Sequence, residues 1–478
     1  MWKPVLDGAA PTLGGRLLDA LGHDIIAGLL PAGSKLPTHR DLAHALGIGI
    51  GTVTAAYAEA ARRGLVEARV GSGTFVASGI APGIASSHKP VAAGGRITLS
   101  HNVSPLAPAQ RRFAAALARA QKRTDLLDHL GYAPAAGLLA HREAAKSWLS
   151  RTGGPLDIDP GRLIVTSGGQ NAMALTILAL CRPGDTIIVE AATYFGVRTL
   201  ADHAGCKVVG VAMDAEGLLP DALDRAAQAN GQANGQANGQ ANRTSGARLL
   251  YTMPNLQNPT GRIASASRRR AIAEVARKRD LLIVEDDVYG ALLLGDAPPP
   301  LADFAPERTI YINGLSKTIA PGLRTGYLLA PDAAIFDRII AVVRALNFAP
   351  PPIGSMIATQ WIEAGTADEI VIEMAAEIAA RTQMARARLG AAVAASDARC
   401  PHLWLELTEL DAERLVSRAA RNAVDLTPPG APVVDAASIS GVRLCVGSPA
   451  SRAELASGLD VVADILAGTR RGDTLGIV

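Results

Sequence analysis

The sequence is poor in the residues that build small disulfide-held or metal-held scaffolds. Its four cysteines, Cys181, Cys206, Cys400 and Cys445, are far apart and form no C-x-x-C pair. That excludes a disulfide framework or a cysteine zinc site and fits a reducing compartment. Aromatic residues make up only 4% of the 478-residue chain, so Ala, Leu, Val and Ile must supply the core. Charged residues are 19% and the net charge is +3. This balance excludes a charged disordered chain and a basic coat for nucleic acid, but not one modest DNA-binding module. No apolar run approaches the roughly 18 residues of a membrane span, and residues 1–10 show no signal-peptide core. A soluble cytoplasmic protein of two or three domains, with no membrane association and no metal, is expected.

Three zones separate along the chain. Residues 11–77 carry helical patterns followed by a Gly-punctuated strand pair. Residues 78–97 are rich in Gly, Ala, Pro and Ser, lack apolar periodicity and read as a linker. Residues 98–470 alternate apolar strand-like runs with helical stretches, the pattern of an α/β architecture with a mixed, largely parallel sheet. Within that zone, residues 228–242 read QANGQANGQANGQAN. Their four-residue period suits neither helix nor strand burial, so a low-complexity surface insertion is expected there.

The first zone has a definite internal order. Leu13, Leu17, Leu21, Ile25 and Leu29 recur every four residues, predicting one apolar helix face. After the break at Pro31, Thr38 can cap a short second helix, with Asp41 completing a capping box and Gly47 ending it. Val53, Ala56, Tyr57 and Ala60 share a face of a third helix. Val66, Ala68 and Val70 then alternate with Glu67 and Arg69. Gly71-Ser72-Gly73 turns the chain, and Thr74-Phe75-Val76 returns. Helix, helix–turn–helix and hairpin is the layout of a winged helix–turn–helix. Seven Lys+Arg against six Asp+Glu in residues 1–77 leave a net charge of +1. Charge alone fits a DNA-binding module and a protein-interaction module equally. The stretches IIAGLLPAG, LPTHRDLAHALG and TVTAAYAEAARRGLVEARVGSGTFV, however, resemble the DNA-binding domain of GntR-type bacterial regulators. That resemblance implies contacts to a double-stranded DNA operator from Thr38, Arg40 and Thr52, and from Arg69, Gly71 and Gly73 of the wing. Gly49-Ile50 and Ala55 stand where such domains usually carry Ser-Arg and a further basic residue.

The strongest chemical centre lies in TIYINGLSKTIAPGLRTGYLLA, residues 309–330. An apolar strand delivers Lys317, one of only eight lysines, into a loop, and Arg324 follows seven residues later. A lysine in a low-dielectric pocket loses proton affinity and can form a Schiff base. Three further loops follow apolar runs. Asp286, Asp287 and Tyr289 end the run from Leu281. Asn258 lies in a turn-rich loop after residues 248–253. Gly168-Gly169-Gln170 turns a strand into a helix whose amides can bind phosphate.

Together these loops resemble the fold-type-I pyridoxal-phosphate enzymes of the aspartate aminotransferase superfamily. The resemblance implies a large part over about residues 130–340 and a small part from residues 98–128 and 345–470. It also implies pyridoxal 5'-phosphate held as a Schiff base on Lys317, with Asp286 paired to the pyridine nitrogen. Asn258 and Tyr289 would bond the ring oxygen and Tyr194 would stack on the ring. Gly169, Gln170, Ser316 and Arg324 would hold the phosphate. Tyr132 would reach the phosphate of the partner subunit in a homodimer. Arg443 would clamp the carboxylate of a ligand. Ser100–Pro108 matches the family poorly, which puts substrate-side contacts from that segment in doubt, and Gly314 replaces a common phosphate-binding hydroxyl.

A GntR-like head on an aminotransferase-like body resembles the MocR regulators. This implies a DNA-binding regulator, usually a head-to-tail homodimer, that senses an amine or amino-acid-like effector, or the cofactor itself. A working aminotransferase with an accessory head is the alternative.

Overall fold

The computed structural model describes residues 2–4, 6, 12–26, 29–31, 33–62, 65–69, 72–76, 95–232 and 246–468. The chain divides into two compact units, residues 1–90 and 91–478.

The first unit is built as its apolar spacing dictates. Helix α1 (Leu13–Ile26) buries Leu17 and Leu21, while Leu29 falls beyond the helix end and is exposed. Helix α2 (His39–Leu46) starts at Thr38, whose hydroxyl accepts the Asp41 amide at 3.2 Å and donates to its carboxylate at 2.7 Å. Gly47, with φ +67°, ends it in the left-handed conformation that suits glycine. Helix α3 (Ile50–Arg62) turns Val53, Ala56, Tyr57 and Ala60 into the same core. Strands β1 (Val66–Arg69) and β2 (Gly73–Val76) pair antiparallel, with Val66 opposite Val76. Residues 33–36 flank β2, with Leu36 N–H donating to Thr74 O and Val76 N–H to Ser34 O. Val70 and Gly71 lie outside the described residues.

The second unit is organised by a seven-stranded sheet. Its strands are β3 (Leu163–Thr166), β4 (Thr186–Glu190), β5 (Lys207–Val211), β6 (Ala247–Thr252), β7 (Leu282–Asp286), β8 (Thr309–Gly314) and β9 (Gly326–Leu329), in spatial order β3-β9-β8-β7-β6-β4-β5. Only β9 runs against the others. Strand side chains alternate between faces, and both faces are covered. Ile187, Val189, Leu249, Tyr251 and Val284 join one core cluster. Ile188, Leu250 and Ile283 join the other. At roughly 1.5–3 kcal/mol per buried aliphatic side chain, these clusters dominate the favourable side of folding.

A separate cluster gathers the C-terminal strands β10 (His402–Glu406) and β11 (Gly441–Cys445), which pair antiparallel, with their covering helices. Ile97–Thr98 pairs parallel with Val424–Asp425, and Arg96 forms an ion pair with Asp425. Residues 96–97, linker-like in composition, are therefore part of this unit. The helix Pro220–Gln232 also runs into the low-complexity repeat: Ala227 is buried and Asn230 bonds back to Ala226 O, which extends the helix past residue 228. Residues 233–242 lie outside the described residues.

Candidate functional site

Six strands of the sheet point the same way, and five of them deliver site residues just beyond their carboxyl ends, the place where α/β sheets bind ligands. β3 leads to Gly168-Gly169-Gln170 and helix α4 (Gly169–Leu180), and β4 to Tyr194. β6 leads to Asn258, β7 to Asp286 and Tyr289, and β8 to Ser316 and Lys317.

Three consecutive acids end at or just beyond β7, all buried, and the pleat separates them. Glu285 accepts the Leu301 and Ala302 amides at 2.8 and 3.0 Å. Asp287 accepts Asn255 Nδ2 at 2.8 Å and the Tyr311 hydroxyl at 2.5 Å. Asp286 accepts the Tyr251 hydroxyl on Oδ2 at 2.7 Å, but its Oδ1 is buried without a partner among the described residues. Burial pushes the Asp286 carboxyl up to about 6. An ionised carboxylate held this way lacks one strong donor, and a protonated pyridine nitrogen supplies one.

Lys317 is half-buried, and its amine donates to the backbone carbonyl of Asn102. Burial and the nearby Arg443 cation lower the amine to about 8, so a usable fraction is neutral near pH 7. Ser104 Oγ donates to Lys317 O at 2.6 Å and pins the backbone of that residue.

The end of the site around Gly168 and Arg324 is shaped by missing side chains. Gly168 has φ +96°, and a Cβ there would stand 3.1 Å from Arg324 Nη2, which donates to Ser167 O at 2.8 Å. A Cβ at Gly314 would come 3.2 Å from Gly169 N, so a side chain there would press on the Gly169 backbone. A Cβ at Gly196 would meet Tyr194 Cε1 at 2.3 Å and Gln170 Oε1 at 2.7 Å. Glycine at 196 thus lets the Tyr194 ring and the Gln170 amide share one space.

Arg443 is buried and spans both parts of the unit. Its Nε donates to Thr427 Oγ1 at 3.3 Å, its Nη1 to Asn258 Oδ1 at 2.9 Å, and its Nη2 to Ser100 O at 3.0 Å. These three bonds do not use all five guanidinium N–H groups. Asn258 and Tyr289 are buried, Tyr289 three residues beyond Asp286. Tyr132 is not brought to these residues. It is 90% exposed, with its ring 4.8 Å from that of Phe348.

In the first unit, Arg40 is exposed, and Thr38 spends its hydroxyl on the helix cap. Thr52 is half-buried on α3. Among the described side chains of that helix, Ile50, Gly51, Thr54, Ala55, Ala58 and Ala61 are the exposed positions, and none is cationic. His39 Nδ1 lies 3.1 Å from Thr54 Oγ1, joining α2 to α3. Arg69 and Gly73 pair across the hairpin, where Gly73 has φ +113°; Gly71 lies outside the described residues.

Comparison with known proteins bears on both units. Residues 13–76 match the bacterial regulatory proteins of the gntR family, and residues 95–459 match the aminotransferase class I and II family. The HTH-type transcriptional regulator YdeF of Bacillus subtilis is 31% identical over 69% of this chain and 67% of its own. The chain belongs to the MocR-type regulators. The HTH-type pyridoxine biosynthesis regulator PdxR of Corynebacterium glutamicum is 29% identical over 69% of this chain and 68% of its own. Among solved structures, an archaeal alanine:glyoxylate aminotransferase covers 79% of the chain and 92% of its own length with a TM-score of 0.69 at 24% identity. That last likeness establishes the fold of the second unit. Among the described residues of this MocR-type chain, no helix is long and apolar enough to cross a membrane, and no group of three or more His, Cys, Asp or Glu could hold a metal.

The sequence reading missed the segment 100–104. Given no assigned contact there, it supplies Ser100 O to Arg443, Asn102 O to Lys317 and Ser104 Oγ to the Lys317 carbonyl. Two of these three contacts use backbone carbonyls, which carry no side-chain signature.

Proposed function

We propose that this GntR-type DNA-binding regulator carries pyridoxal 5'-phosphate on Lys317. It senses an amine or amino-acid-like ligand, or the cofactor itself, in its aminotransferase-like pocket. The observation that carries the proposal is the buried Asp286 Oδ1, unpartnered among the described residues, at the same strand ends as a lysine amine lowered to about 8. Bound there, the cofactor supplies an aldehyde that reacts with amines and a pyridinium ring that withdraws electrons.

The chain's own residues divide the remaining work. Asp286 offers its free oxygen to the ring nitrogen. Asn258 and Tyr289 address the ring oxygen, and Tyr194 packs against the ring face. Gly169, Gln170, Ser316 and Arg324 form the phosphate cradle, with Arg324 giving planar charge-assisted bonds. The N–H groups of Arg443 not used within the chain select a carboxylate. The name of the Corynebacterium relative, a pyridoxine biosynthesis regulator, supports the cofactor as an effector in its own right.

A homodimer is supported by the exposed apolar side chains Leu127, Leu130, Tyr132, Leu139 and Phe348. Four of them fall within residues 127–139 and the fifth, Phe348, touches Tyr132; large exposed apolar groups grouped in this way are ordinarily covered by a partner. In such a dimer Tyr132 reaches the partner's phosphate cradle, and two heads read paired half-sites. The first unit binds operator DNA through Arg40, Thr52 and the wing residues Arg69, Gly71 and Gly73, with Thr38 holding α2 in place. We place the protein in the cytoplasm, in solution.

The test measures binding to the DNA upstream of the protein's own gene, with and without pyridoxal 5'-phosphate and then with amino acids added. A change in affinity of about fivefold or more is expected, the range of typical allosteric coupling. Unchanged affinity at saturating cofactor and amino acid would sink the sensing role. Steady-state turnover with amino donors would instead support the alternative, a working aminotransferase.

A further inference from the structure

Asn102 belongs to the segment that contacts Lys317, and its side chain joins two further buried groups. Its Nδ2 lies 2.9 Å from the Tyr289 hydroxyl and 3.1 Å from His402 Nδ1. His402 Nε2 lies 2.9 Å from Gln257 O. The Tyr289 and His402 rings meet edge to face at 5.3 Å.

The polarity of this chain of bonds follows from one fixed point. A backbone carbonyl only accepts, so His402 Nε2 must carry the hydrogen that reaches Gln257 O. The ring is fully buried, and burial, with the Arg443 and Lys317 cations nearby, lowers its pKa to about 3. It is therefore neutral, and Nδ1 is an acceptor. Asn102 must then present its amino group to Nδ1, which fixes the amide orientation. The second hydrogen of that group goes to the Tyr289 oxygen. That hydroxyl therefore accepts from Asn102, and its own hydrogen has no acceptor among the described residues. Asn102 Oδ1 is likewise buried without a partner.

We propose that Asn102, oriented by His402, is a positioning residue of the cofactor site: its amide makes the Tyr289 hydroxyl a donor into the pocket, while its backbone carbonyl holds the Lys317 amine. This rests on the cofactor reading above. It links the lysine and the ring-oxygen donor through one residue outside the lysine loop. A donor on the ring oxygen disperses the negative charge that otherwise holds the proton of the bound chromophore. Losing that donor moves the chromophore's titration midpoint upward.

The test uses the full chain in two forms. In the cofactor-loaded protein, Asn102→Asp and Asn102→Ala should each raise the midpoint of the absorbance titration by about one pH unit. Neither should raise it further in a Tyr289→Phe background, because Asn102 acts through that hydroxyl. No shift, or a shift that adds to that of Tyr289→Phe, overturns the proposal. The alanine variant introduces no charge and serves if the aspartate variant fails to fold. In the cofactor-free protein, histidine-labelled NMR should show His402 neutral, with the proton on Nε2, between about pH 5 and 8. Asn102→Asp should make it a cation at neutral pH. A proton on Nδ1 in the wild type, or a neutral ring in Asn102→Asp, also overturns the proposal. If the wild type takes up no cofactor, the cofactor reading fails, and with it the positioning role; the NMR arm then reports separately on the bond polarity.

Discussion

Replacing Asp286 with Asn should stabilise the empty protein and weaken its hold on the cofactor. The carboxyl is pushed from an ordinary 3.8 up to about 6, with burial as the first cause. A folded-state pKa raised above the unfolded one means that the native state disfavours ionisation. The contribution of the group to stability is thus intact below about pH 4 and is lost as the pH climbs to about 6. A shift of about two units corresponds to roughly 3 kcal/mol. The Asn variant is never ionised, and its side-chain carbonyl can still accept from Tyr251. Above about pH 7 its second unit should therefore melt about 4 °C higher than that of the wild type, with little difference at pH 4.5. Glu285 and Asp287 also titrate upward in this strand end, but they are common to both proteins and cancel in the comparison. Cofactor affinity should move the other way, falling on the order of 100-fold with the lost charge-assisted bond. Scanning calorimetry of the cofactor-free proteins at two pH values, with a fluorescence titration of pyridoxal 5'-phosphate, measures both. An Asn variant that melts like the wild type at pH 7.5, or binds the cofactor equally well, refutes the argument from the unpartnered oxygen.

Three further outcomes are expected. Lys317→Ala should abolish the borohydride-fixed cofactor mass that the wild type carries on the peptide containing residue 317, as read by mass spectrometry. Arg40→Ala should weaken operator binding about tenfold and reduce the slope of log affinity against log salt by about one, the result expected of the phosphate contact proposed for this exposed arginine of α2. Thr38→Ala removes the cap of α2 and should cost the first unit about 1 kcal/mol, read as a lower melting transition for that unit alone.

The first unit is legible in the sequence because its signals are local. Leu17 and Leu21, the Thr38–Asp41 cap and the Gly47 terminator each act within one helix, and each is where its spacing puts it. The strands of the second unit are legible as apolar runs, and the loop residues Lys317, Asp286 and Asn258 as polar groups following them. What stays hidden depends on tertiary contact. Ser100 and Asn102 reach the site through backbone carbonyls, and Ile97 joins a strand through a partner more than three hundred residues away. The helix ending at Gln232 overrides the repeat because packing at Ala227 and the Asn230 side chain extend it beyond what composition suggests.

The choice between Asp286 and Asp287 shows how a physical rule replaces a spacing rule. From sequence, Asp286 is preferred because Tyr289 follows three residues later. In the structure the preference has a cause. Glu285 and Asp287 fall on one side of the alternation, where Arg269 is buried, and Arg269 also bonds Asn255, which in turn bonds Asp287. Those two acids are compensated within the chain. Asp286 falls on the other side, beside Tyr251, and is only half compensated. A fully buried carboxylate with a free oxygen costs more than a surface one gains. Its retention here is accounted for if an outside donor completes it, which is the part the proposed cofactor's ring nitrogen would play.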